Sequence, residues 1–205
     1  MLLFNLKTMN KIRKKEERMK LIVGLGNPGK MFELTPHNIG FMLINYLEKE
    51  WKKNILTTKK ELSSIVSHLQ LEQETILLVQ PQTYMNISGK AIKQLMLKYN
   101  IPKDDVLVLV DDINLEPGAF KLKYKGGHGG HNGLRNIIDM LHSKEFKRLR
   151  IGVGLDSRIP LEQYVLNRLN TQTQQQITHN FPLFKKLISN FIQGYPFANL
   201  MNTLV

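Results

Sequence analysis

Apolar positions along this chain recur in two rhythms, and their alternation sets the expected fold. Residues 20–25 (KLIVGL) form a continuous apolar run, as a strand buried on both faces does. Residues 37–51 (HNIGFMLINYLEKEW) carry apolar side chains at helical spacing and predict an amphipathic helix. Two strand-like runs follow at 63–71 and 75–81, split by the polar Glu72-Gln73-Glu74, and predict a hairpin. Residues 86–100 return to helical spacing at Ile92, Leu95, Met96 and Tyr99. Residues 105–112 (DVLVLVDD) read as a central strand. Four glycines in the five positions centred on His128 forbid regular structure, and a helix is expected from about Asn132. A further strand is predicted over 147–155, and a late helix over 173–194 with Pro182 near a boundary or in a first turn. Strands alternating with helices predict a single α/β domain with a mostly parallel sheet.

Residues 1–19 lack either rhythm. They hold six Lys/Arg and two Glu, and are read as a disordered basic extension ahead of a domain at 20–205, with Met19 a candidate start. Their apolar residues precede the basic ones, the reverse of a secretory signal. No run approaches the roughly 20 apolar residues of a membrane helix, so no membrane association is expected. The absence of cysteine excludes disulfides, thiol catalysis and Cys-type metal sites, and fits a reducing cytoplasm. Of the formal charge of +12, the extension contributes +4 and residues 20–205 the remaining +8. A polyanionic partner such as nucleic acid fits that balance.

The segment LIVGLGNPGK (21–30) matches G-x-G-x-x-G at Gly24, Gly26 and Gly29. A dinucleotide site needs a helix starting inside the glycine loop and an acidic residue ending a second strand about 20 residues on. Here Pro28 removes a backbone donor, Pro36 disfavours helix before it, and Glu48 and Glu50 fall within the predicted helix. The loop is therefore read as a carrier of polar side chains, Asn27 and then His37 and Asn38, at the strand edge where ligands bind in open α/β sheets.

Other polar residues end at places that can share that edge: Asn86 after the strand at 75–81, Asp111 at the end of the run 105–112, and Asn132 after the glycine loop. Together with Asn27 and His37 they suit water-mediated hydrolysis. A neutral imidazole takes a proton from water, a carboxylate fixes its tautomer, and amides donate to a developing oxyanion. Structural roles compete with this reading. Asn86 and Asn132 are also good helix caps, and Asp111-Asp112 a turn former. His128 and His131 invite a metal, but their loop lacks carboxylates and is read instead as an anion nest or substrate loop. His68, His142 and His179 are read as surface or packing residues.

The segments LIVGLGNPG, HNIGF, QPQTYMNISGKAI, VDDINLEPG, GGHGGHNGLRNII and RLRIGVG together resemble the bacterial-type peptidyl-tRNA hydrolase family, in order and spacing, over residues 20 to about 195. The resemblance implies a single α/β domain with a mixed, mostly parallel twisted sheet flanked by helices. It implies cleavage of the ester joining a peptide to the 3′ end of tRNA, with no cofactor and no metal, by a chain expected to act as a monomer. Carried over by position, His37 is the base and Asp111 its orienting carboxylate. Asn27, Asn86 and Asn132 match asparagines that bind the ester region and the water, His131 a residue beside the ester, and Tyr84 and Met85 a wall of the peptide channel. Phe32 stands where the family usually has Tyr. Pro36, Val110 and Asn114 also depart from the family pattern. Between Phe120 and Arg158 there are nine Lys/Arg against three Asp/Glu, all nine candidates for tRNA phosphates. The resemblance points to Lys121, Lys123 and Arg150, and alternation puts the two lysines on one face if their stretch is a strand. The competing reading is a non-catalytic RNA-binding protein on the same fold, which need not keep His37 and Asp111.

Overall fold

A computed structural model describes residues 19–202. The basic extension thus lies outside the described residues, except for Met19, which opens a strand rather than closing a tail. In chain order the elements are β1 (Met19–Gly24), α1 (Ile39–Glu50), β2 (Ile55–Glu61), β3 (Ser64–Leu71), β4 (Glu74–Pro81), α2 (Ser88–Lys98), β5 (Val106–Asp112), β6 (Phe120–Lys125), α3 (Asn132–Leu141), β7 (Glu145–Gly152), α4 (Leu161–Tyr164), α5 (Thr171–His179), α6 (Phe181–Ile192) and α7 (Phe197–Asn202). None of these helices is long and apolar enough to cross a membrane.

The strands form one seven-stranded mixed sheet in the order β2-β3-β4-β1-β5-β7-β6. The central strands β4, β1, β5 and β7 pair in parallel, and the flanking pairs β2/β3, β3/β4 and β6/β7 are antiparallel. Side chains alternate between two apolar layers. Ile22, Leu107 and Leu109 face α1 and α6, whereas Leu21, Val23, Val108 and Val110 face α2 and α3. Helices thus cover both faces, which is why the central strands read as continuous apolar runs.

Two elements depart from the expectation. Strand β2 (ILTTKKE) was not predicted, because as an edge strand it is exposed at its five inner positions and shows no apolar alternation. It is tied in by pairing with β3 and by Glu61, whose carboxylate accepts from Tyr99 at 2.7 Å, from His68 at 3.0 Å and from Lys98. The late helix is two helices that break at Asn180, with Pro182 in the first turn of the second, where a missing N–H costs nothing.

The glycines of the first loop are explained by packing. A Cβ on Gly24 would lie 2.3 Å from the carbonyl oxygen of Gly40, and one on Gly40 would lie 2.4 Å from the backbone nitrogen of Leu25. The start of α1 therefore rests directly on the end of β1, closer than any side chain permits.

Candidate active site

Parallel pairing brings the carboxyl ends of β4, β1, β5 and β7 to one edge of the sheet. The pairing of β1 with β5 runs to Gly24 opposite Leu109, and the Leu25 N–H then donates to Leu109 O at 3.0 Å. Asn27 consequently leaves β1 beside Asp111. Its backbone is held at both ends by Asn38, whose Oδ1 accepts the Asn27 N–H at 2.8 Å and whose Nδ2 donates to the Asn27 carbonyl at 3.0 Å. Asn27 Oδ1 accepts the N–H of Met85 at 2.8 Å. This fixes the loop after β4 and leaves the amide NH2 as the group Asn27 can offer a ligand. Asn38 is 4% exposed; the sequence places it on the loop beside His37 but gives it no role in the site.

His37 sits in the turn Pro36–Asn38 just before α1, with its backbone N–H donating to Val165 O at 3.1 Å. Its Nδ1 lies 3.0 Å from Asp111 Oδ2. The other oxygen, Oδ1, is 2.8 Å from His131 Nε2, and the two imidazole rings are 4.9 Å apart. A carboxylate only accepts, so Nδ1 of His37 carries a hydrogen and Nε2 is left with its lone pair. His131 is fixed the opposite way. Its Nε2–H donates to Asp111 while its Nδ1 accepts the Leu134 N–H at 3.3 Å, capping α3.

Burial of the His37 ring works to lower its pKa, but the charge of Asp111 and their hydrogen bond outweigh it and leave the pKa above 6.5. Burial would raise the Asp111 carboxyl. The two imidazoles overcome that and hold it well below the usual carboxylate range.

The capping roles considered for the asparagines do not hold. The residue flanking α2 is Ile87, with no side-chain cap bond, and the cap of α3 is His131. Asn86 and Asn132 are instead exposed residues lining the cleft. Asp111 and Asp112 both belong to β5. His128 accepts the Gly130 N–H at 3.0 Å and stands apart from His37 and Asp111. The trio with ligand atoms close enough for a metal, all within 4.8 Å, is His37, Asp111 and His131. Sequence reasoning had not grouped these three as ligands. Both nitrogens facing the carboxylate lie at N–H···O distance from it, which accounts for the cluster without an ion.

The cleft around this cluster has a volume of about 620 Å³ and gathers Asn27, Phe32, His37, Tyr84, Met85, Asn86, Asp111, His131, Asn132 and Arg150. Phe32 meets Tyr84 edge-on with centroids 6.4 Å apart. Leu161, Val165 and Leu166, around the short α4, complete the wall. They had no sequence signal because the segment lacks apolar periodicity.

Lys121 and Lys123 lie outside the cleft, on β6, in register with Arg150 and Arg148 of β7. The four thus share one face of the antiparallel pair, as alternation required. Arg150 Nε is 3.0 Å from Asp112 Oδ2. Arg148 was wrongly counted among the phosphate candidates. It is 1% exposed and donates to the carbonyls of Gly126, Gly127 and Lys144, at 2.7–3.0 Å, and its guanidinium lies 4.0 Å from the Phe146 ring centroid. Burial lowers its pKa to about 10, with help from Arg150. The glycine loop thus runs back along β7 over a buried guanidinium before delivering His131 and Asn132. Two other candidates are engaged: Arg158 with Asp156 at 2.7 Å, and half-buried Lys147 with the Asp104 carbonyl.

Residues 21–205 match the family model described as peptidyl-tRNA hydrolase. A peptidyl-tRNA hydrolase of Aster yellows witches'-broom phytoplasma is 50% identical over 184 residues, 90% of this chain and 97% of that protein. One from Staphylococcus aureus is 38% identical over 90% of this chain and 96% of its own length. The crystal structure of peptidyl-tRNA hydrolase from Acinetobacter baumannii superposes with a TM-score of 0.82 at 32% identity, covering 91% of this chain and 94% of that one. The chain belongs to the peptidyl-tRNA hydrolase family of enzymes.

Proposed function

We propose that this protein hydrolyses the ester between a peptide, or an N-blocked amino acid, and tRNA, with neutral His37 as general base. The observation that carries the reading is the 3.0 Å contact between His37 Nδ1 and Asp111 in a cleft walled by amides and aromatic rings. With Nδ1–H committed to Asp111, His37 Nε2 takes a proton from water as the water oxygen bonds to the ester carbonyl carbon. The tetrahedral oxyanion accepts hydrogen bonds from amides among Asn27, Asn86 and Asn132. It collapses by breaking the bond to the ribose oxygen, which leaves with the proton held on His37. The products are the peptide acid and free tRNA.

Phe32, Tyr84 and Met85 take the peptide, and His131 steadies Asp111 beside the ester. Lys121, Lys123 and Arg150 hold phosphates of the tRNA, whose 3′ end reaches into the cleft while the rest stays outside it. The hydrogen-bonded cluster needs no metal for this sequence of steps, and the setting is the cytoplasm, where peptidyl-tRNA arises. The deciding assay is release of free tRNA from an N-blocked aminoacyl-tRNA. Wild-type protein is expected to turn over, and His37→Ala to lose about 10²–10⁴-fold in rate. Near-wild-type hydrolysis by the variant would remove His37 as the base; no hydrolysis by wild-type protein would end the reading.

A further inference from the structure

The two exposed amides of the cleft, Asn86 and Asn132, reach it from different helices. Asn86 lies in the turn Met85–Ile87 that leads into α2, and Asn132 is the first residue of α3. The spacing between them follows from how α2 meets α3.

The two helices meet backbone to backbone. A Cβ on Gly89, the second residue of α2, would lie 2.5 Å from the Asn136 carbonyl oxygen and 2.8 Å from the Ile137 Cα. The Gly89 N–H belongs to the first turn of α2, where a backbone donor has no partner within its own helix. It donates to Asn136 Oδ1 at 2.8 Å. Asn136 thus caps α2 from the flank of another helix, at an end where Ile87 makes no cap bond of its own. Gly89 is three residues beyond Asn86, and Asn136 is one turn beyond Asn132. A directional bond therefore joins the two amide-bearing segments about one helical turn behind each amide.

On the cleft side the same segments touch through Met85. A Cβ on Gly133 would lie 2.6 Å from Met85 Sδ and 3.0 Å from His131 Cε1, so the thioether fills the slot over the first turn of α3. A flexible thioether tolerates sliding, whereas a hydrogen bond weakens steeply with misalignment. The Ser88 hydroxyl donates to the Met85 carbonyl at 3.0 Å, and the Met85 N–H donates to Asn27 Oδ1 at 2.8 Å. A shift of α2 along α3 would thus carry Asn27 with Asn86.

We infer that Asn136 is a positioning residue for the hydrolysis, its acceptor oxygen fixing where Asn86 stands relative to Asn132. Asn136 does not line the cleft and acts only through these amides. The inference rests on their proposed role at the tetrahedral oxyanion. Removing an oxyanion donor outright costs about 10²–10³-fold in kcat, and misplacement by an ångström about 10²-fold.

The test compares Asn136→Leu, which removes the acceptor at similar size, with Asn136→Asp, which keeps an oxygen facing the Gly89 N–H. On an N-blocked aminoacyl-tRNA, Asn136→Leu is expected to lower kcat about 10–100-fold with KM little changed. Asn136→Asp is expected to restore most of the rate. Combined with Asn86→Ala, the loss should be smaller than the product of the single losses; combined with Lys121→Ala, it should equal that product. NMR of isotope-labelled full-length protein supplies a readout that needs no turnover. The Gly89 amide and the side-chain NH2 signals of Asn86 and Asn132 are expected to shift in Asn136→Leu and to return in Asn136→Asp. Should Asn136→Leu not fold, Asn136→Ser, whose oxygen falls short of the Gly89 N–H, takes its place in every arm. An unchanged kcat at lowered Tm, equal losses in the Leu and Asp variants, a full product with Asn86→Ala, or unmoved NH2 signals would each overturn the assignment. Wild-type protein that hydrolyses nothing would end the proposed reaction, while the NMR comparison still decides whether Asn136 places the two amides.

Discussion

His37 Nδ1 and Asp111 Oδ2 stand 3.0 Å apart although 74 residues separate them in the chain. Two structural accidents of the fold produce this distance. Asp111 is the penultimate residue of a central parallel strand, and His37 is carried to it by a helix that packs on the neighbouring strand through a glycine pair.

The first consequence is a pH profile. Because the His37 pKa is raised, the neutral form needed by a base accumulates only above 6.5. The rate constant kcat/KM is expected to climb through an apparent pKa above 6.5 in wild-type protein. Asp111→Asn removes the charge that raises it, so the limb should move to lower pH. The rate should also fall, by about 10³–10⁴-fold, because an amide can donate to Nδ1 and impose the wrong tautomer. Stability moves with the same group. A raised His37 pKa stabilises the fold below pH 6.5, and that contribution disappears as pH rises through the folded-state value.

Asn38→Ala tests the clamp on Asn27. The substitution removes both hydrogen bonds and strands the buried N–H and carbonyl of Asn27. A loss of about 1–3 kcal/mol is expected, read as a lowered Tm. Displacement of Asn27 by even an ångström should also lower kcat by about 10²-fold. An unchanged rate at reduced stability would confine Asn38 to a structural role.

Salt dependence separates the basic residues. If Lys121 and Lys123 contact phosphates, each Lys→Ala change should reduce the slope of log affinity against log salt by roughly 0.7–0.9. Arg148→Met should leave that slope alone, since its guanidinium is buried under Gly126 and Gly127. Its effect should be faster hydrogen exchange in the glycine loop.

Chelation decides between a hydrogen-bonded cluster and a metal centre. With His37, Asp111 and His131 joined by hydrogen bonds, prolonged dialysis against a chelator is expected to leave kcat unchanged. Loss of activity restored by one divalent ion would assign the trio to that ion instead.

The strands that build the edge were legible because burial on both faces leaves unbroken apolar runs, as in β1 and β5. Strand β2 was not, since an exposed edge held by lysines and threonines obeys no apolar rhythm. The residues converging on the cleft were legible by type and by their position after strands. What could not be read was their pairing: that His131 rather than Asn132 caps α3, and that Arg148 turns inward. Both are decided by where the glycine loop lies, and glycines leave no side-chain pattern from which to infer a path.

The contact of Gly24 with Gly40 acts as a ruler for proton transfer. His37 precedes α1 directly, so any side chain added at either glycine would lift the helix and carry the imidazole away from its carboxylate. Drift at these two positions would surface as an enzyme that still folds but has lost its stroke, with the lesion on the strand and helix that flank the carboxylate rather than on the reacting groups themselves.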